Sequence, residues 1–250
     1  TQFSVNAKGF LAESNKIFAQ IDWNIKSVIL KNIEFRDIIG NGTLDNKTFD
    51  GTVKVDDERL AFEVKGNFNF SDTNPQFKFE ANLEHANLLA LNIMPQDSIT
   101  NISFNVTANF KGNSINKFDG EIRLKEVNFE KKDKKLNINK IEVYTTDNQF
   151  SNDLQFRSDF LDATIFGRYD IADIPGAIIR TIRAFLPGSF YGYQSDEPLD
   201  DNEFMFNLKF KKTDSISKFF MPSVRISENS KISGLFFPAD TSMRIMVHAQ

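Results

Sequence analysis

The densest group of chemically capable side chains is acidic. Asp196, Glu197, Asp200, Asp201 and Glu203 follow one another with no base between them. Carboxylates this close could hold a hard divalent cation, which takes oxygen ligands. The spacing matches no calcium loop and the stretch has no glycine for the sharp turn, so a solvated loop is the better reading. His85 and His248 are far apart and neither sits in metal-ligand spacing. Cysteine is absent, which excludes disulfide scaffolds, thiol catalysis and Cys-ligated metal. Gly40-Asn41-Gly42 lacks the third glycine of a dinucleotide fingerprint, and no P-loop, nucleophile elbow or His-Glu-x-x-His occurs. These residues point to no enzyme, no metal centre and no cofactor. Asp97-Ser98-Ile99 and Asp214-Ser215-Ile216 fit an Asp-Ser/Thr-apolar pattern of bacterial O-glycosylation. Ser98 and Ser215 fall in polar breaks between apolar runs, where a bulky glycan could stay in water. The basic run Lys131-Lys132-Asp133-Lys134-Lys135 reads as a hairpin tip, with contact to anionic lipid headgroups as the sharper alternative.

The elements that must carry these residues are strands. In 250 residues the apolar share of 40% is ample for a core. The net charge of -4 argues against nucleic acid, because phosphate neutralisation needs clustered bases. No apolar run approaches the roughly 20 residues of a membrane-spanning helix. Phe (27) and Asn (25) are abundant, which suits strands and their turns.

The dominant period is two. Leu60, Phe62, Val64, Gly66, Phe68 and Phe70 fall on one face, with Ala61, Glu63, Lys65, Asn67 and Asn69 on the other. Phe104, Val106, Ala108 and Phe110 repeat the split, as do Leu161, Ala163, Ile165 and Gly167, and Phe204, Phe206, Leu208 and Phe210. Shorter copies are Phe77 and Phe79, Ile122 and Leu124, Leu136 and Ile138, and Ile245 and Val247. Such alternation predicts an antiparallel sheet of about ten strands, apolar on one face and wet on the other. Glycines on the apolar face mark expected bulges or bends. Phe49-Asp50-Gly51 and Phe118-Asp119-Gly120 form a weak repeat, each opening an alternating strand.

Helical signal is sparse. Asp173 to Leu186 carries a stripe of Ile174, Ile178, Ile182 and Phe185, with Asp173 as N-cap and Pro187-Gly188 as stop. The expected role of this stripe is to cover sheet that lacks a partner. A second helix is predicted at 215–220, and His85 to Leu91 forms a helix or a turn.

A sheet with one apolar face must hide it. A second sheet is the ordinary solution. The alternative is a long curved trough whose greasy interior holds lipid tails. The alternation runs off both ends of the chain, the apolar face is nearly free of polar residues, and Phe dominates it. These features favour the trough, and both ends read as cut from a longer protein.

Gly42-Thr43-Leu44, then Phe49-Asp50-Gly51-Thr52-Val53-Lys54-Val55, the alternating stretch from Leu60 to Phe68, Pro75-Gln76-Phe77-Lys78-Phe79-Glu80-Ala81 and Ala86-Asn87-Leu88-Leu89-Ala90-Leu91-Asn92 resemble the TamB family. So do Phe118-Asp119-Gly120-Glu121-Ile122, and Phe219-Phe220-Met221-Pro222-Ser223-Val224-Arg225-Ile226 with Ile232-Ser233-Gly234. TamB, the translocation and assembly module subunit, belongs to the AsmA-like superfamily of bridge-like lipid transfer proteins. The resemblance implies a middle segment of an all-β, elongated β-taco in the periplasm of a Gram-negative cell. It implies an inner-membrane anchor and an outer-membrane barrel of the BamA type (TamA or a relative), both engaged outside this segment. The groove would carry phospholipid acyl chains, or, on the other reading, the repeat would assist outer-membrane protein assembly without lipid. The groove positions are then the inward apolar residues Leu60 to Phe70, Phe77, Phe79, Phe104, Val106, Phe110, Ile122, Leu124, Leu161, Ile165, Phe204, Phe206, Leu208 and Phe210. Residues 1–250 are expected to form one continuous segment, interrupted by the helix at about 173–187 and the acidic loop at about 195–203.

Overall fold

A computed structural model describes residues 2–11, 17–30, 32–93, 100–112, 118–148, 151–171, 203–220, 222, 225–237 and 242–248. The predicted helix at 173–187 and the acidic loop up to residue 202 lie outside the described residues, and Glu203 is the first residue of a strand.

The strands are β1 (Gln2–Leu11), β2 (Ile17–Leu30), β3 (Ile33–Asp45), β4 (Thr48–Asp57), β5 (Leu60–Asn69), β6 (Gln76–Asn87) and β7 (Asn101–Lys111). They continue as β8 (Asp119–Lys131), β9 (Lys134–Asn148), β10 (Ser151–Ser158), β11 (Leu161–Arg168), β12 (Glu203–Phe210), β13 (Lys231–Phe237) and β14 (Ser242–His248). One short helix, α1 (Asp214–Phe220), follows β12. All fourteen strands lie in one antiparallel sheet in chain order, and the sheet is open, with β1 and β14 as its edges. The chain is therefore all-β, as the period of two predicts.

Short polar turns make this order possible. Asn46-Lys47 joins β3 to β4, with Asn46 at φ 53, a left-handed conformation that Asn tolerates. Lys132-Asp133 joins β8 to β9 with Lys132 at φ 52, so the basic run is a hairpin tip. At the turn after β10, the Ser158 hydroxyl donates to Leu161 O at 2.9 Å. It accepts from the N–H groups of Phe160 at 3.3 Å and Leu161 at 3.0 Å.

The chain gathers into two compact units, Thr1–Gly112 with Ile122–Lys140, and Asn113–Glu121 with Ile141–Gln250. In the first unit, β6 runs through His85 to Asn87, and the predicted helix or turn there is a turn from Leu88 to Ile93. Leu91 N–H donates to Asn87 O at 3.0 Å and Ile93 N–H to Leu88 O at 2.9 Å. Leu88 and Leu91 thereby pack with Ala86 against Phe35, Leu60, Leu83 and Ile102. In the second unit, Leu154, Ala163, Ile165, Tyr169, Phe204, Phe206 and Leu208 form a buried cluster.

Two local expectations are corrected. Gly66 and Gly167 mark no bulge, since the register runs through both without a shift. The irregularities fall elsewhere, between Ala61 and Phe62 on β5 and between Leu83 and Ala86 on β6. The alternation puts Ala61 on the wet face, yet it is only 3% exposed. It pairs with His85, whose Nε2 lies 3.2 Å from Asp57 O and 3.1 Å from Glu58 O and so covers this strand end.

Candidate functional site

Strand register turns the alternation of single strands into rows across the first unit. Gly9, Ala19, Leu44, Phe49, Phe68, Phe77 and Phe110 make one row from β1 to β7. Ala7, Ile21, Gly42, Gly51, Gly66, Phe79 and Ala108 make the next. Val5, Trp23, Gly40, Val53, Val64, Ala81 and Val106 make a third. Ile25, Ile38, Val55, Phe62, Leu83 and Phe104 make a fourth, from β2 to β7. No polar side chain interrupts any of the four. A slip of one residue would bring polar side chains such as Asp22, Asn24, Glu63, Lys65, Lys78 and Asn105 into these rows, so burial preference and register reinforce each other.

Most of this face is half-buried rather than buried. Among the described residues no second sheet lies over it. The other face is wet and charge-matched: Lys54 pairs with Glu63, and Lys65 with Glu80. An amide chain crosses it, from Asn82 Nδ2 to Asn105 Oδ1 at 2.6 Å and from Asn105 Nδ2 to Glu126 Oε2 at 2.9 Å.

Aromatic rings line the apolar face in sequence from strand to strand. Trp23 lies 5.8 Å from Phe49, Phe49 6.2 Å from Phe68, and Phe68 5.6 Å from Phe79, ring centre to ring centre. Phe79 then meets Phe110 at 6.4 Å, and Phe110 meets Phe77 at 5.2 Å. The glycines make room for this line. A β-carbon on Gly40 would collide with the Trp23 indole, and one on Gly51 would lie 2.6 Å from the Phe49 ring. The surface is apolar, with the Trp23 indole N–H the one side-chain hydrogen-bonding group in the four rows, so it can hold hydrocarbon by area and dispersion and offers little to orient a polar substrate.

The structure sorts the sequence-predicted groove positions into three groups. Leu60, Phe62, Val64, Phe68, Phe77, Phe79, Phe104, Val106, Phe110, Ile122 and Leu124 are half-buried in the first unit. Phe70 follows the end of β5, is 54% exposed and meets Phe77 edge to face at 5.8 Å, so it belongs to the border of the sheet. Ile165, Phe204, Phe206 and Leu208 are buried in the second unit, with Leu161 and Phe210 packed against them. That group acts as core rather than open wall. Tyr169 joins it: its hydroxyl donates to Ile165 O at 3.3 Å, and burial pushes its pKa up.

Ile174, Ile178, Ile182 and Phe185 lie outside the described residues, as does Ser98. Ser215 is exposed in the first turn of α1, which confirms the predicted helix but leaves its modification a proposal. Among the described residues no cluster of three metal-ligating side chains occurs, and no helix is long and apolar enough to cross a membrane.

Three features escaped sequence reasoning. The first is the Trp23–Gly40 contact, which needs the β2–β3 register. The second is the carboxylate of Asp57, whose side chain is 1% exposed. Oδ1 accepts from Arg59 Nε at 2.8 Å, and Oδ2 accepts from the Arg36 N–H at 3.0 Å. The hydrogen bonds from Arg59, outweighing burial, hold its pKa at about 2. The third is an apolar row on the wet face, Phe166, Met205 and Leu235, where β11, β12 and β13 pair. No family model, curated protein or solved structure matches the chain.

Proposed function

We propose that this chain is a lipid-carrying segment of a TamB-like periplasmic bridge, whose apolar face holds phospholipid acyl chains on their way between inner and outer membranes. One observation carries the reading: four apolar rows run unbroken from β2 to β7, mostly half-exposed, with no second sheet over them among the described residues. Apolar area of this extent is costly to leave in water at about 25 cal/mol per Å², so an occupant is expected. Hydrocarbon fits because the face presents aromatic and aliphatic surface with no polar group beyond the Trp23 N–H. The resemblance to TamB supports this reading, in which a membrane anchor and a BamA-type barrel partner would be engaged outside the segment. Catalysis plays no part in the proposal.

The test uses the one tryptophan of the chain, Trp23, which stands in an apolar row. Purified protein is extracted with organic solvent and the extract analysed for phospholipid. The delipidated protein is then offered phosphatidylglycerol with brominated or plain acyl chains. Co-purified phospholipid and quenching of Trp23 by the brominated lipid alone are the expected results. An extract without lipid, together with unquenched fluorescence, would overturn the reading and leave a lipid-free assembly role as the better one.

A further inference from the structure

The wet face of β11 to β14 carries bases at the strand ends. Register sets Asp162, Lys209, Lys231 and His248 side by side on these four strands. Like charges directly opposite one another on a sheet repel. Asp162 is engaged by Lys211, whose Nζ lies 2.5 Å from Oδ1 and 2.9 Å from Ser158 O. Lys209 and Lys231 have no carboxylate within ion-pair distance among the described residues. Together with His248 they border a shallow cleft of about 230 Å³ that also takes in Asp162, Thr164, Asn207 and Ser233. Lys211 offsets the Asp162 carboxylate, and the two ammonium groups, imidazole and two hydroxyls that remain around the cleft form a set of donors that suits an oxyanion.

The position of this set narrows the choice of anion. Phe210 ends β12, Lys231 opens β13 and His248 ends β14, so the bases stand where the wet face meets the border of the sheet. One residue inward, on the apolar face, Ile232 pairs with Val247, and Val247 is 60% exposed. A phosphate at the bases would thus leave its attached hydrocarbon beside open apolar surface. A free phosphate uses only the first feature; a phospholipid uses both.

We propose that Lys209, Lys231 and His248 bind the phosphate of a phospholipid whose tails lie on the exposed apolar surface at Val247, a proposal that rests on the lipid-carrying reading above. Dioleoyl phosphatidate and dioleoylglycerol differ only in the phosphate, and they separate the two claims. Each is delivered from cyclodextrin to the whole delipidated chain, and retained lipid is quantified by mass spectrometry after gel filtration. The wild type is expected to retain phosphatidate in preference to dioleoylglycerol at low salt. K209Q/K231Q is expected to lose phosphatidate affinity by about fivefold for each lysine, with dioleoylglycerol unchanged. K209R/K231R restores the preference, and K78Q, a charge loss on the wet face of the first unit, leaves it intact. Equal retention of both lipids by the wild type, or an unchanged preference in K209Q/K231Q, would overturn the headgroup site while the groove stands. Failure of the wild type to retain either lipid would overturn the groove reading and the headgroup site with it.

Discussion

The Trp23 indole lies across Gly40 of the neighbouring strand, where a β-carbon would collide with three of its ring atoms. The ring has settled into the space that the missing side chain leaves, and from there it reaches Phe49 on β4 at 5.8 Å. Gly40→Val would push the indole off this floor. Overpacking of this kind costs about 1–3 kcal/mol. The urea midpoint is expected to fall accordingly, and the Trp23 emission maximum to shift to longer wavelength as the ring meets water. An unchanged midpoint and spectrum would mean that the indole does not depend on the glycine.

The two faces of β7 offer the cleanest functional comparison. Val106 stands in an apolar row opposite Ala81, and Asn105 stands on the wet face beside Asn82. A charge at Val106 has no partner on its own face, so Val106→Glu is expected to abolish lipid retention. Asn105→Lys faces water and can pair with Glu126, so its stability is expected to stay within about 0.5 kcal/mol and its lipid retention to match wild type. Phe206→Glu is a different experiment. Phe206 is buried in the second unit, so a glutamate there is expected to destabilise the fold by more than about 3 kcal/mol. Its failure to carry lipid would report folding. Circular dichroism melts of all three variants separate the cases: a folded Val106→Glu protein with normal lipid retention would sink the groove.

Strands whose alternation is clean were legible in the sequence. Leu60 to Asn69 and Glu203 to Phe210 match the predicted segments almost residue for residue. β10 is not legible as a strand, because only Leu154 and Phe156 among its inward positions are apolar. β13 hid for the opposite reason: Leu235 adds an apolar residue on the wet face and erases the period. Rows, unlike faces, exist only once the register is known. Trp23 meeting Phe49 two strands away, or Lys209 standing opposite Lys231, cannot be read from spacing along one strand. Burial was illegible for a similar reason, since Val106 and Phe206 look alike in sequence and differ only in what covers them.

Ser158 closes the turn between β10 and β11 almost alone. Its buried hydroxyl serves three backbone groups, the N–H of Phe160 and both the N–H and C=O of Leu161. Ser158→Ala would leave these groups short of a partner in a site from which water is largely excluded. The expected loss is about 1–3 kcal/mol, read as a lower urea midpoint with an unchanged m-value. Ser158→Thr, which keeps the hydroxyl, is expected to recover part of it. Equal stability of Ser158→Ala and wild type would show that water replaces the hydroxyl at no cost.

Asp57 ties stability to pH. The ladder between β3 and β4 ends at the Ile38–Val55 pair, and beyond it the Arg36 N–H loses its strand partner. The Asp57 carboxylate replaces that partner at 3.0 Å while gripping Arg59. Its pKa is about 2 in the folded chain, below the ordinary value of 3.8. A carboxylate held below its unfolded pKa binds fewer protons folded than unfolded, so the stability it adds is present above the unfolded value and lost as pH falls. The contribution is about 2 kcal/mol at neutral pH, declining from pH 4 and gone below pH 2. Asp57→Asn keeps the shape but removes the charge that Arg59 binds. Urea unfolding at pH 7 is expected to show the loss in the variant. Between pH 4 and 2 the two curves should converge, because the wild type gives up the same interaction by protonation. A constant gap between them across that range would mean that Asp57 acts through packing alone.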